Sequence, residues 1–202
     1  VDDIYLDYPA ASEVKVADFE RLLRSLRVWM LGAPETTVVT GLGLGPDLLK
    51  PVPFVMARRR GTQTRFVTLL EPYAEAPEVT AFRASADEWL EVMGGGFDDR
   101  LSLDAVSVLR FVRRAQGALR RLALAGATRL ELDGQTLLEL EAPVPAQVNI
   151  AVGRVEVFLP EPYTGELRVL APGAQAVTVN GQPAEFRLDG DFCVIQIRGA
   201  GF

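Results

Sequence analysis

Apolar residues in this chain fall in short runs punctuated by glycine, proline, asparagine and aspartate. Runs rich in β-branched and aromatic residues between such punctuation read as strands. The pattern predicts strands over 4–8, 26–31, 36–40, 54–59, 64–70, 79–84 and 88–92. It continues with 105–113, 120–125, 129–132, 136–141, 148–152, 154–158, 165–170, 176–179, 185–188 and 192–197. Asp133-Gly134 and Asn180-Gly181 sit between apolar runs as tight hairpin turns, which need positive φ at both central positions. Gly61-Thr62-Gln63 reads as the turn of a hairpin that brings 54–59 against 64–70, with Pro72 closing it. Gly94-Gly95-Gly96 reads as a flexible hinge.

One segment departs from the β pattern. Phe19, Leu22, Leu23 and Leu26 recur at helical spacing and predict a short amphipathic helix over 18–26. Leu109, Val112, Leu119 and Leu122 also fit helical spacing, but Gly117 and Gly126 interrupt them, so both runs read as strands. The expected fold is all-β, an antiparallel β-sandwich with at most one or two short helices, spanning 1–202 as a single domain.

Composition removes several chemistries. Hydrophobic residues make up 49% of the chain, enough for a sizeable core. The net charge of −6 opposes bulk nucleic-acid binding, which requires a basic face. No apolar run reaches the length of a membrane-spanning helix. With no histidine, the chain holds neither a Ser-His-Asp nor a Cys-His catalytic set. Its one cysteine, Cys193, lies in the strand-like run 192–197 and reads as a buried small apolar residue. No metal site, cofactor or catalytic residue is assigned.

Three features remain as candidate chemistry. Gly41-Leu42-Gly43-Leu44-Gly45-Pro46 imitates a phosphate loop, but its third glycine comes one position early and prolines follow, so a turn or bulge is the simpler reading. Glu71, Glu75 and Glu78 cluster near the arginines, and local pairing with them explains these carboxylates better than acid–base work. Arg58-Arg59-Arg60 with Arg65 puts four arginines within eight residues of an acidic chain. The planar guanidinium fork suits carboxylate and sulfate. Arg58, Arg60 and Arg65 are therefore the candidate ligand-binding residues, weighed against a merely solvated turn. Tyr73 joins them as a ring able to stack on a sugar, and Trp29 and Trp89 are the other aromatics considered, each more readily read as core.

Segments 37–43, 53–61 and 64–73 together resemble the C-terminal sheet region of heparinase II/III-like (alginate-lyase-like) polysaccharide lyases. There two strands flank an R-x-G turn, matched here by Arg59-Arg60-Gly61, and the second runs FV-x-x-L-E-P, matched by Phe66 to Pro72. Val177-Thr178-Val179-Asn180-Gly181 is similar to the V-x-V-N-G hairpin that closes such domains. The resemblance implies a module of a larger protein, joined to an N-terminal α/α-toroid. It implies a parent that cleaves uronic-acid polysaccharides by β-elimination, placed in the periplasm or secreted. The family's catalytic tyrosine and histidine map to no position here. The chain is expected to be the non-catalytic C-terminal β-sandwich module of such a protein, partnered by the toroid and an acidic polysaccharide. The alternative is a stand-alone carbohydrate-binding or structural sandwich.

Overall fold

A computed structural model of the chain describes residues 4–9, 25–43, 52–62, 64–85, 89–103 and 108–200. The fold is all-β, with no helix among the described residues. Residues 18–24 of the predicted helix lie outside them, and the last two residues of that reading, Ser25 and Leu26, begin a strand. The chain divides into two compact units, Val1–Ala84 and Ser85–Phe202.

Unit 1 contains β1 (Ile4–Pro9), β2 (Ser25–Met30), β3 (Thr37–Gly43), β4 (Val52–Arg58), β5 (Thr68–Tyr73) and β6 (Val79–Ala84). β1, β2 and β5 form one antiparallel sheet, and β3 pairs with β4 in another. The predicted hairpin between 54–59 and 64–70 is therefore not formed. β4 lies against β3, β5 lies against β2, and Pro72 sits inside β5 opposite Leu26. The ladder of β4 ends at Arg58, and the next side chain, Arg59, bonds Arg65 O, Leu31 O and Thr36 instead, as described below. Gly41 and Gly43, predicted as part of a turn, are strand residues of β3. Gly41 faces Phe54 across the ladder, and a Cβ there would come within 2.9 Å of that ring. Glycine is needed for close approach, not for a phosphate. The rest of that loop, 44–51, lies outside the described residues.

Unit 2 is a sandwich. One sheet runs β17-β16-β14-β13-β10-β9-β8-β7 and the other β11-β12-β15-β19-β18. The ranges are β7 (Leu90–Gly94), β8 (Phe97–Leu103), β9 (Leu109–Ala115), β10 (Ala118–Ala125), β11 (Arg129–Leu132), β12 (Gln135–Leu140), β13 (Ala146–Ala151) and β14 (Arg154–Phe158). They continue with β15 (Tyr163–Leu170), β16 (Ala176–Val179), β17 (Gln182–Pro183), β18 (Phe186–Asp189) and β19 (Phe192–Ala200). Alternation along each strand turns one face inward. Val112, Leu122, Val148, Val157 and Val179 follow one another across the first sheet in register. Leu130, Leu138, Leu167, Val169 and Ile195 of the second sheet join them in one core cluster.

The sandwich departs from a purely antiparallel pattern at one place. β14 and β16 pair in parallel, because the intervening β15 belongs to the opposite sheet and returns the chain in the same direction. β8 was not foreseen, and Gly95-Gly96, read as part of a hinge, is the turn joining β7 to β8. The predicted turns hold: Asp133 and Gly134 have φ of 53° and 75°, Asn180 and Gly181 of 47° and 78°. Asn180 does more than turn the chain. Its side-chain oxygen accepts from Leu159 N at 2.9 Å and its amide donates to Leu159 O at 3.0 Å, so it stands in for a ladder partner. Tyr163 is likewise structural. Its hydroxyl accepts from Glu141 N and donates to Glu166 O, and burial raises its pKa.

Candidate functional site

The arginine triplet lies where β4 ends, and its three side chains have different fates. Arg59 is turned into the protein. Its Nε donates to Thr36 Oγ1 at 2.7 Å and its terminal nitrogens donate to Leu31 O at 2.8 Å and Arg65 O at 2.5 Å. Its guanidinium lies 4.5 Å from the centre of the Phe66 ring. One side chain thereby ties together the end of β2, the turn before β3 and the segment before β5. Thr36 is itself fixed, since its hydroxyl donates to Ala33 O at 2.7 Å.

Arg58 and Arg60 take the opposite side and are exposed. Among the described residues neither forms an ion pair or a hydrogen bond through its side chain. They line a cleft of about 410 Å³ together with Arg59, Thr37 and Glu35. Glu35 is held at φ 59°, a conformation that a non-glycine residue adopts only when its surroundings impose it. With the Arg59 guanidinium committed to Thr36, Leu31 and Arg65, the cleft presents Arg58, Arg60 and Thr37 against one carboxylate, Glu35. Such a set can hold a carboxylate or sulfate bidentately, while Glu35 and Thr37 meet neutral hydroxyls.

Of the four residues singled out from sequence, the cleft gathers Arg58 and Arg60. Arg65 is exposed and contributes its backbone carbonyl to the Arg59 clamp, and its side chain is not among the cleft's lining. Tyr73 ends β5 opposite Ser25, half-buried on the same face as Glu71, and is not part of the lining either. Sequence reasoning missed Glu35, Thr37 and the clamp that Arg59 makes. Alternation put Arg59 on the other side from Arg58 and Arg60, but nothing in the sequence showed that its partners would be Thr36, Leu31 and Arg65.

The acidic neighbours do not pair with the arginines as expected. Glu71 is buried on β5 and its carboxylate is fully occupied. One oxygen accepts the Trp29 indole N–H at 3.0 Å, and the other accepts the backbone N–H groups of Glu78 and Val79 at 2.6 and 2.7 Å. A buried carboxylate satisfied in this way is a structural anchor rather than a general base. It also occupies Trp29, which is buried and offers no stacking face to a sugar. Trp89 packs against the core of unit 2. Cys193 is fully buried, and desolvation pushes its thiol up to about 11, as a small core residue requires.

Elsewhere the arginines are largely neutralised within unit 2. Arg113 grips Asp99 with two nitrogens, at 2.7 and 2.5 Å, which raises the pKa of the guanidinium. Arg100 pairs with Glu91 at 2.6 Å, and Arg129, Arg154, Arg168 and Arg187 each have an acidic partner. Arg58 and Arg60, unpaired among the described residues, contrast with this pattern. No protein-family model matches the chain, and no curated protein matches it.

Proposed function

We propose that the cleft beside Arg58 and Arg60 binds carboxylated saccharide, and that the chain serves as a non-catalytic C-terminal β-sandwich module of a polysaccharide-lyase-like protein. The observation that carries this reading is the split within one triplet. Arg59 is spent on holding the backbone, while Arg58 and Arg60 stand exposed and, among the described residues, unpaired around a cleft in an acidic chain. A rigid backbone under two free guanidinium groups lowers the ordering cost of capturing an anion. The resemblance in segments 37–43, 53–61 and 64–73 supplies the substrate class, a uronic-acid polysaccharide, and the partner, an α/α-toroid of the same parent. With no histidine, the chain has no counterpart of that family's catalytic histidine.

The test is calorimetric titration of the chain with uronate oligosaccharides, alongside neutral oligosaccharides of equal length. Uronate should bind and neutral sugar should not. Replacing Arg58 and Arg60 together by Ala should weaken uronate binding about tenfold or more while leaving the fold intact. A correctly folded double variant that binds as before sinks the proposal. Incubation with polyuronates should produce no growth in the ultraviolet absorbance of a new carbon–carbon double bond.

A further inference from the structure

A second cleft, also of about 410 Å³, opens at one end of the unit 2 sandwich. Its walls come from the start of β10, the β13–β14 turn and the segment after β15. Leu119, Ile150, Val155 and Leu170 make the interior apolar, and Val152, 93% exposed at the turn, stands at the rim. The walls are fixed by backbone hydrogen bonds: Gly153 O accepts from both Gln175 N and Ala176 N, and Asp191 O accepts from Ala171 N. The cleft is therefore preformed and in the size range of small-molecule sites.

Its polar groups are few and placed with some asymmetry. The β9–β10 ladder shifts register between Leu119 and Arg121. Regular alternation would send Leu119 and Arg120 to opposite faces, yet both line the cleft. A bulge of this kind re-aims a side chain. Here it brings Arg120 to the same cleft as Leu119. Arg154, also on the lining, is engaged by Glu156 at 2.8 Å. Arg120 is half-buried and, among the described residues, has no acidic partner and no hydrogen-bond acceptor.

We infer that this cleft is a binding site for a small amphipathic carboxylate, its apolar body against Leu119, Ile150 and Val155 and its carboxylate on Arg120. The inference is independent of the saccharide reading, because it concerns other residues in the other unit. Apolar burial supplies affinity and Arg120, which has no acidic partner among the described residues, selects the anion, while Asp191 and Gln135 also line the cleft.

Titration of the full chain with octanoate, followed through the methyl resonances of Leu119, Ile150 and Val155, tests it. Octanoate should shift these resonances saturably, and octanol, of the same length without the charge, should bind about tenfold more weakly. Arg120→Gln should bring octanoate down to the level of octanol. Ala151→Phe, which fills the cleft from an exposed position, should abolish both responses. Absence of a saturable shift, equal affinity for octanoate and octanol, or an unchanged response in either folded variant overturns the inference. Circular dichroism establishes folding for each variant, and a fresh substitution at Val152 to Trp replaces Ala151→Phe should that variant unfold.

Discussion

In unit 2, Val112, Leu122, Val148, Val157 and Val179 run across the sheet in register, each buried and apolar. In unit 1 the side chains that join distant segments are Arg59 and Glu71, each making three hydrogen bonds. The first arrangement is non-directional: any side chain of similar volume serves, and stability follows from area removed from water. The second is directional. It specifies one geometry, but every donor and acceptor must be met, because an unsatisfied buried group costs more than a made bond gains. Unit 1 therefore keeps a charged triplet beside its frame, with Arg59 fixed and Arg58 and Arg60 exposed. Unit 2 neutralises most of its arginines in pairs.

The contrast can be broken most forcefully in the apolar core. Leu122→Ala should destabilise unit 2 by about 2–5 kcal/mol, through lost burial and the cavity left behind. Urea denaturation read by Trp89 fluorescence in a Trp29→Phe background measures it. The same core has a chemical weak point in Cys193. Its folded pKa of about 11 lies above the ordinary thiol value of 9.0. The unfolded chain releases this proton first, so the stabilisation is complete below pH 9.0 and is lost as pH rises toward about 11. That alkaline loss should shrink in Cys193→Ala relative to the parent, and native protein should resist thiol reagents until denaturant is added.

Directional anchors come next in size. Glu71→Ala leaves the Trp29 indole and the backbone N–H groups of Glu78 and Val79 without their acceptor. A loss of about 1–3 kcal/mol is expected, read by Trp29 fluorescence in a Trp89→Phe background. Glu71→Gln should lose less, since the amide oxygen still serves the two backbone donors. Equal losses from both changes would mean that the backbone contacts contribute nothing.

Smallest of all should be the arginines' own difference. Arg59→Lys keeps the charge but not the fork, and should cost on the order of 1–2 kcal/mol. Arg58→Ala and Arg60→Ala should each stay within about 0.5 kcal/mol of the parent, as exposed unpaired residues do. If Arg58→Ala is as damaging as Arg59→Lys, the division of labour within the triplet is wrong.

Apart from the two-residue β17, the strands of unit 2 from β9 onward were legible because local signals close them, above all Asp133-Gly134 and Asn180-Gly181, whose φ values are a property of those residues. β8 was not legible. Its sequence, Phe97-Asp98-Asp99-Arg100-Leu101, looks too polar for an interior strand. Asp99 is tolerated there because Arg113 stands opposite it on β9, and Arg100 because Glu91 does so on β7. Cross-strand partners fourteen and nine residues away leave no mark in a local window.

The candidate site divides in the same way. Sequence alone determined that this chain is β-rich, that it holds no histidine chemistry, that Cys193 belongs in a strand, and that four arginines cluster at 58–60 and 65. All of these depend on residue identity or on a period of two, which are local properties. Only tertiary structure decided that β4 pairs with β3 rather than β5, that Glu71 serves Trp29 rather than the arginines, and that Glu35 and Thr37 meet Arg58 and Arg60 around one cleft. Each of those is a pairing between segments distant in sequence. Such pairings are chosen by which buried polar groups can all be satisfied at once, a condition on the whole arrangement that no single stretch of sequence contains.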